Sequence, residues 1–429
     1  MLSLSHSRTA AQATQYFAEH LVAKPRYRRH GPEDHFADEG APGHWRGRGA
    51  AVQGLVGEVT VQDFAGVALA VSRDGRRLAQ GAGKLSRRAG WDLVFSSPKS
   101  VSVAWGLGDD RVREAIGRAH GDAVDRALGY VETEARVVRS RRGKGGRINE
   151  AASAVIATFG HGTSRAADPD LHSHCFIFNL SGRDDGTWGT IDSRHFFRAK
   201  MAIGALYRAQ LAAALQSLGY GIVRDHQSFR LASSTREQDL VFSRRRRQIV
   251  ALLAARGRTT AAAAEVAALQ TRTKKQPIDR ATLIASWRAR GAAVGITPAT
   301  IRNLSGYRFG RAAGRGMPSH NEILRELKGR SSPVSRWQLE TAVYRAAQGV
   351  TDADQAREYL GGLESDPALT RLRDAGGHER FTIGEIYDSE RNLGELSRSQ
   401  HDKRRQTHQT HRTHRTPRQK ALDDRPTID

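Results

Sequence analysis

One cysteine, Cys175, occurs in the 429 residues, which excludes an intrachain disulfide and a thiolate-rich zinc cage. There is no apolar run of about 18 residues or more, and Met1 to Tyr16 lacks the apolar stretch of a signal peptide. Neither membrane insertion nor secretion is expected, and a reducing cytoplasm fits. Acidic residues are scarce: 45 Asp and Glu face 68 Lys and Arg, for a net charge of +23. That imbalance favours a polyanionic partner such as nucleic acid, although charge does not by itself separate DNA from RNA or a membrane surface. The phosphate-cradling Gly-x-x-x-x-Gly-Lys-Ser/Thr loop is also missing, because Gly81-Ala-Gly-Lys84 lacks the upstream glycine and is followed by leucine. No ATPase motor of that type is expected.

The length allows two or three domains of roughly 100–200 residues each. Val112, Ile116, Ala119, Ala123, Ala127 and Val131 recur at spacings of three and four, so they share one face of a helix. The stretch Arg141–Arg147, rich in glycine and arginine, reads as an exposed turn after it. Ala154–Phe159 and Leu171–Leu180 read as strands. Met201–Leu218, stopped by Gly219, and Arg244–Leu269 have the alanine and leucine content of helices. Gly306–Gly316 has linker composition. Ser335–Ala347 and Asp352–Leu363 read as short helices and Arg380–Ile383 as a strand, together a winged-helix-like module. The expected boundaries are 1–305 for the main domain, 306–334 for a linker, 335–395 for the small module and 396–429 for a basic disordered tail. His401, His408, His411 and His414 belong to that tail, which is expected to strengthen salt-sensitive, sequence-independent DNA binding.

Chemistry concentrates in three places. In the strand Leu171–Leu180, side chains alternate between faces, so His172 and His174 point the same way. His161 follows the preceding strand and can supply a third ligand if the two strands are antiparallel neighbours. Three neutral imidazoles leave coordination positions open, which suits a catalytic metal better than a closed structural one. The second cluster runs from Gly90 to Val103. There Asp92 can accept a proton or orient a metal-binding histidine, and Ser97, Lys99 and Ser100 are candidate phosphate contacts. Arg165, in the segment between His161 and His172, is a further candidate contact to DNA. Third, Tyr16 sits in a helical-looking segment; its phenol, with an ordinary pKa of about 10, needs a base or a polarised target to act as a nucleophile.

These stretches resemble conjugative relaxases of the TrwC/TraI (MobF) type, within the HUH endonuclease superfamily. The resemblance runs through Met1-Leu-Ser3 with Tyr16, Trp45-Arg-Gly-Arg-Gly49, Gly90-Trp-Asp-Leu-Val-Phe-Ser-Ser-Pro-Lys-Ser100 and the His161/His172/His174 segment. It continues through Leu206-Tyr-Arg-Ala-Gln-Leu211, Phe242-Ser-Arg-Arg-Arg246 and Thr271-Arg-Thr-Lys-Lys275 to Trp287. The resemblance implies an α+β fold, with a central antiparallel sheet flanked by helices and a helix-rich C-terminal extension. It implies metal-dependent nicking of single-stranded or hairpin DNA at a plasmid transfer origin, with the 5′ phosphate transferred to tyrosine. By matching position, Tyr16 is the nucleophile, Asp92 the proton acceptor or histidine orienter, and His161, His172 and His174 the ligands of a divalent ion, Mn, Mg or Zn. It further implies relaxosome accessory proteins, a coupling protein and a separate helicase as partners. The implied setting is the bacterial cytoplasm, with passage of the protein to the recipient along with the DNA.

Two departures stand out. Where relatives carry a second tyrosine pair ahead of the Trp-x-Gly-x-Gly segment, this chain has His35-Phe36, which leaves Tyr27, among Arg26, Arg28 and Arg29, as the candidate second nucleophile. The segment Ser335–Leu393 resembles the lead-in to a helicase half that does not follow, so unwinding is expected from another protein or the product is truncated. Two other readings fit parts of the sequence: a non-catalytic DNA-binding relaxosome accessory protein, and a metal-dependent nuclease that uses water.

Overall fold

The computed structural model describes residues 2–5, 7–20, 42–134, 138–142, 146–150, 153–183, 185–257, 260–271, 278–304, 316–328, 333–373 and 379–383. Tyr27, residues 306–315 and 329–332 of the linker, and the basic tail lie outside them. The first half of the chain lays down β1 (Leu2–Leu4), β2 (Arg8–Thr9), α1 (Ala10–His20), β3 (His44–Arg46), α2 (Arg48–Val52), α3 (Val61–Ala68), β4 (Arg88–Ser96), α4 (Lys99–Leu107) and α5 (Asp110–Thr133). The Thr60 hydroxyl caps α3 by accepting from the Asp63 amide, and the Asp109 carboxylate caps α5 by accepting from Val112. The six apolar positions read as one face of α5 are all buried.

After α5 come β5 (Val138–Arg142) and β6 (Gly146–Glu150), paired antiparallel, so the two ends of the stretch read as a turn belong to strands, and its centre, 143–145, lies outside the described residues. Then β7 (Ser153–Thr163), β8 (Pro169–Gly182), β9 (Trp188–Gly189) and α6 (Ser193–Ser217) follow. The main sheet has seven strands, in the order β1-β4-β8-β7-β3, with β2 paired to β4 and β9 to β8, all antiparallel. The expected α+β architecture, an antiparallel sheet flanked by helices, is therefore present.

The register sorts side chains into two layers, because residues paired across an antiparallel ladder share a face. Phe159, Phe176 and Phe178 lie on one face, against Phe17 of α1 and Phe64 of α3, whose rings stack at 4.3 Å. Trp91 and Phe95 lie on the other, against Phe196 and Tyr207 of α6. Each such aromatic, fully buried, contributes about 1.5–3 kcal/mol.

After α6, β10 (Ile222–Asp225) and β11 (Ser228–Leu231) form a hairpin, followed by the helices α7 (Arg236–Val241), α8 (Arg244–Ala255), α9 (Ala261–Gln270), α10 (Arg280–Ala292) and α11 (Pro298–Leu304). Gly219, at φ 91°, ends α6 as expected. The helix-rich stretch Arg244–Leu269 holds two helices, with Gly257 left-handed at φ 59° after the first and the Arg245 guanidinium donating to the carbonyls of Ala268 and Thr271 near the end of the second. Helix propensity does not register a fold-back made by one glycine and one long-range cap.

Contacts divide the chain into one unit of Met1–Pro318 with Trp337–Leu360, and a second of Ser319–Arg336 with Gly361–Asp429. The second contains α12 (His320–Lys328) and a three-stranded antiparallel sheet, β12 (Val334–Ser335), β14 (Glu379–Ile383) and β13 (Leu369–Arg373), with His320 Nδ1 2.7 Å from Asp366 Oδ2. The short helices expected after Ser335 are α13 (Arg336–Ala347) and α14 (Ala353–Glu364). Most of their length clusters with the first unit, not with the strands.

One buried histidine ties the sheet to its rear helices. His120 of α5 has Nδ1 2.7 Å from the Tyr207 hydroxyl and Nε2 2.9 Å from the Ser173 hydroxyl, and burial pushes its pKa down from 6.5 to about 3. Between those values the unfolded chain takes up a proton that the folded chain refuses, so stability is full above pH 6.5 and falls as pH drops toward 3. At pH 5 the expected loss from this residue is about 2 kcal/mol. Urea midpoints at pH 7 and pH 5 check it: His120→Gln is expected to start less stable but to lose less between the two.

Candidate active site

Long-range register assembles the histidines. His161 of β7 pairs directly with His172 of β8, and Phe159 pairs with His174, which places all three imidazoles on the face that carries Phe176 and Phe178. Their ligand nitrogens lie within 4.8 Å of one another, and ring centroids are 5.1–5.4 Å apart. His161 is buried; the His172 and His174 side chains keep 12% and 15% exposure, so the cluster is shielded but not sealed.

Each paired histidine is held by a group that can only accept. His174 Nδ1 is 2.8 Å from Asp92 Oδ2, and His172 Nδ1 is 2.7 Å from the Asp170 carbonyl. Nδ1 therefore donates in both rings, leaving the Nε2 lone pairs for an ion. Asp92 reaches His174 because it pairs with Phe176 and so shares the histidine face. It is buried, and its Oδ1 has no hydrogen-bond partner among the described residues. Three convergent imidazole donors, two of them with Nδ1 already engaged, fit a divalent ion with open positions.

The turn linking the two histidine strands is clamped from downstream helices. β7 and β8 extend further toward each other than the strand reading suggests, leaving a turn at Ser164–Asp168 in which Ala167 has φ 53°. The buried Asp168 carboxylate accepts from the Arg244 amide at 2.8 Å, Arg244 Nε at 2.9 Å and Arg290 Nη1 at 2.8 Å, while Trp287 Nε1 donates to the Ala167 carbonyl at 2.8 Å. Arg165, on this turn, is half-buried. Asp168 escapes a reading of the sequence because its partners lie 76 and 122 residues away.

The serines proposed as phosphate contacts are interior. Ser97 and Ser100 are buried: the Ser97 hydroxyl is 2.8 Å from that of Ser102, which accepts from the Leu171 amide, and the Ser100 hydroxyl accepts from the Leu231 amide. Lys99 donates to the Pro169 carbonyl at 2.7 Å. The Ser-Pro-Lys-Ser segment thus pins the start of β8 just ahead of His172, a use that its exposed-looking composition conceals. In Trp45-Arg-Gly-Arg-Gly49 the glycines are steric. Gly47 has φ 87°, and a Cβ on Gly49 would fall 2.2 Å from the Ser153 carbonyl oxygen. Nearby, buried Glu132 accepts from the amides of Arg48 and Ala154, both at 2.9 Å, and burial raises its carboxyl pKa.

Tyr16 lies on α1, the helix that covers the histidine face, half-buried against the aromatic layer. The guanidinium of Arg8 stacks on its ring, 3.8 Å from the centroid. Truncating the clamp is the sharpest test of how the turn is held: Asp168→Ala is expected to cost about 3 kcal/mol, with Arg244 partly exposed and able to rehydrate. Amide hydrogen exchange across 164–168, together with the urea midpoint, checks this.

A family model described as TrwC relaxase matches residues 10–294. The multifunctional conjugation protein TraI of Escherichia coli K12 is 30% identical over 300 residues, which is 67% of this chain and 16% of TraI; a second Escherichia coli TraI is 30% identical over 302 residues. The chain therefore spans 16% of the length of these curated relatives. Two solved structures of the conjugative relaxase TrwC, a metal-bound complex with oriT DNA and a complex with a 27-mer comprising the recognition hairpin and cleavage site, share 33% and 32% identity. Their TM-scores are 0.59 and 0.58, and each alignment covers 69% of this chain and 99% of the solved TrwC chain. Since the matched span runs from α1 through α10, taking in Tyr16, Asp92, the three histidines and the Asp168 clamp, the chain belongs to the TrwC relaxase family, of TrwC/TraI (MobF) type.

Proposed function

We propose that this chain nicks one strand of DNA at a plasmid transfer origin by tyrosine transesterification, for conjugative transfer. The observation that carries the reading is the shared sheet face: three convergent histidines and Asp92 lie on it, and the helix bearing Tyr16 covers it. The Tyr16 phenol oxygen attacks the scissile phosphorus. A phosphotyrosine bond forms at the 5′ phosphate as the bond to the 3′ oxygen breaks; the phenol proton is released and the leaving oxygen takes one up. One phosphodiester replaces another, so the strand can be rejoined.

A divalent ion held by His161, His172 and His174 would polarise a phosphoryl oxygen of the bound strand. Histidine donors favour a transition ion such as Mn or Zn over Mg. The hydrogen bond from His174 supports Asp92 as the group that orients that ligand in preference to a proton acceptor. The net charge of +23 suits a DNA strand, and the TrwC complexes with oriT DNA and its hairpin support single-stranded and hairpin origin DNA as the substrate. We assign Tyr27 the role of candidate second nucleophile. Relaxosome accessory proteins, a coupling protein and a separate helicase complete the proposed setting, in the bacterial cytoplasm and then the recipient. Among the described residues no helix is long and apolar enough to cross a membrane.

The test is incubation of the protein and Tyr16→Phe with single-stranded DNA spanning the cognate origin and a divalent ion, followed by denaturing electrophoresis. A metal-dependent covalent adduct is expected, and its loss in the variant. Cleavage without an adduct would indicate a water-using nuclease, and no cleavage of a verified origin an accessory DNA-binding protein. Separately, Asp92→Asn is expected to weaken metal affinity about 10–100-fold, measured by isothermal titration.

A further inference from the structure

We propose that Arg8 is a positioning residue for Tyr16, holding the phenol by its ring face and favouring negative charge on it during attack. The proposal rests on Tyr16 being the nucleophile, and its own support is geometric. Arg8 pairs with Gly90 of β4, and Gly90 pairs with Phe178 of β8, so Arg8 sits on the sheet face that carries Asp92 and the histidines. Its guanidinium carbon is 3.8 Å from the Tyr16 ring centroid, near the contact limit for stacked planes.

Among the described residues, Arg8 makes this stack without an ion pair. Among the described residues no carboxylate partners the guanidinium, and its Nε is buried with no hydrogen bond. An arginine half-buried in this way ordinarily finds an acceptor, so the ring is what this one faces. The stack is set by β2 on one side and α1 on the other, which are contiguous in the chain at Thr9 and Ala10. The helix start is itself braced there: the Thr9 hydroxyl accepts from the Gln12 amide, and the Gln12 side chain accepts from the Thr9 amide.

The chemical consequence follows from where charge develops. A neutral phenol attracts a cation over its face through the ring quadrupole. As the phenol gives up its proton, negative charge spreads from oxygen into the ring, and the attraction grows. An interaction stronger in the transition state than in the ground state raises the rate at saturating substrate and leaves binding of the DNA unchanged. The same contact restricts rotation of the ring, which narrows the positions its hydroxyl can take.

The experiment uses Arg8→Gln and Arg8→Lys in the full chain with an origin oligonucleotide. Single-turnover adduct formation at saturating oligonucleotide is expected to slow about tenfold in Arg8→Gln, equivalent to about 1.4 kcal/mol, and to recover in part in Arg8→Lys. Oligonucleotide affinity, measured by fluorescence anisotropy without metal, is expected to stay within about twofold of the parent. A readout independent of metal and DNA is the 13Cζ resonance of Tyr16 in tyrosine-labelled protein, assigned by its loss in Tyr16→Phe and expected to move in Arg8→Gln. Wild-type rates in both variants would overturn the proposal, as would a slowing fully explained by lost affinity or an unmoved resonance. If Arg8→Gln does not fold, a wild-type rate in Arg8→Lys at saturation with weakened affinity would overturn it. An adduct that persists in Tyr16→Phe would instead bring down the choice of nucleophile.

Discussion

The antiparallel ladder joining β4, β8 and β7 decides which side chains can meet. It sets His161 opposite His172, Phe159 opposite His174 and Asp92 opposite Phe176. Strand periodicity is two, so a slip of one residue in β8 would replace His172 and His174 on the working face with Ser173 and Cys175. The alternate positions guard against it: Trp91, Phe95, Cys175 and Ile177 are fully or nearly fully buried, and the Ser173 hydroxyl is bonded to His120. A slipped strand would lose an apolar face and a buried hydrogen bond together.

Polar groups buried around the sheet do complementary work at its margins. Glu132 receives two backbone amides where α2 and β7 meet, Asp168 receives an amide and two guanidinium groups at the β7–β8 turn, and Ser102 receives the Leu171 amide at the start of β8. Each would cost several kcal/mol if buried without partners. Satisfied, each fixes one end of a strand, and the aromatic layers between them supply the bulk of the attraction. The site is therefore rigid where its ligands sit, with few polar groups in the layer that faces α1 and α3.

Legibility in the sequence followed the distance over which each feature is determined. The pair His172 and His174 needs only strand alternation, and the α5 face only helical spacing. His161 needed the additional assumption of antiparallel neighbours, which the register bears out. Ser97 and Ser100 misled because a Ser-Pro-Lys-Ser segment looks like a solvent-facing turn, whereas tertiary burial converts its hydroxyls into internal pins. The break between α8 and α9 rests on Gly257 and on Arg245 reaching a carbonyl 26 residues away. Asp168 and the Arg8–Tyr16 stack carry no local signature, since what defines them is a partner brought in by the completed fold.

The clamp on the β7–β8 turn also bears on the order in which the protein can mature during synthesis. The histidines emerge from the ribosome with residues 161–174, but Arg244, Trp287 and Arg290 follow much later. A nascent chain that has folded its sheet must therefore hold three convergent imidazoles on an unclamped turn until α10 has been translated. Translation speed between β8 and α10 thus sets how long a half-built ligand cluster waits in the cell, open to whatever ion it meets first.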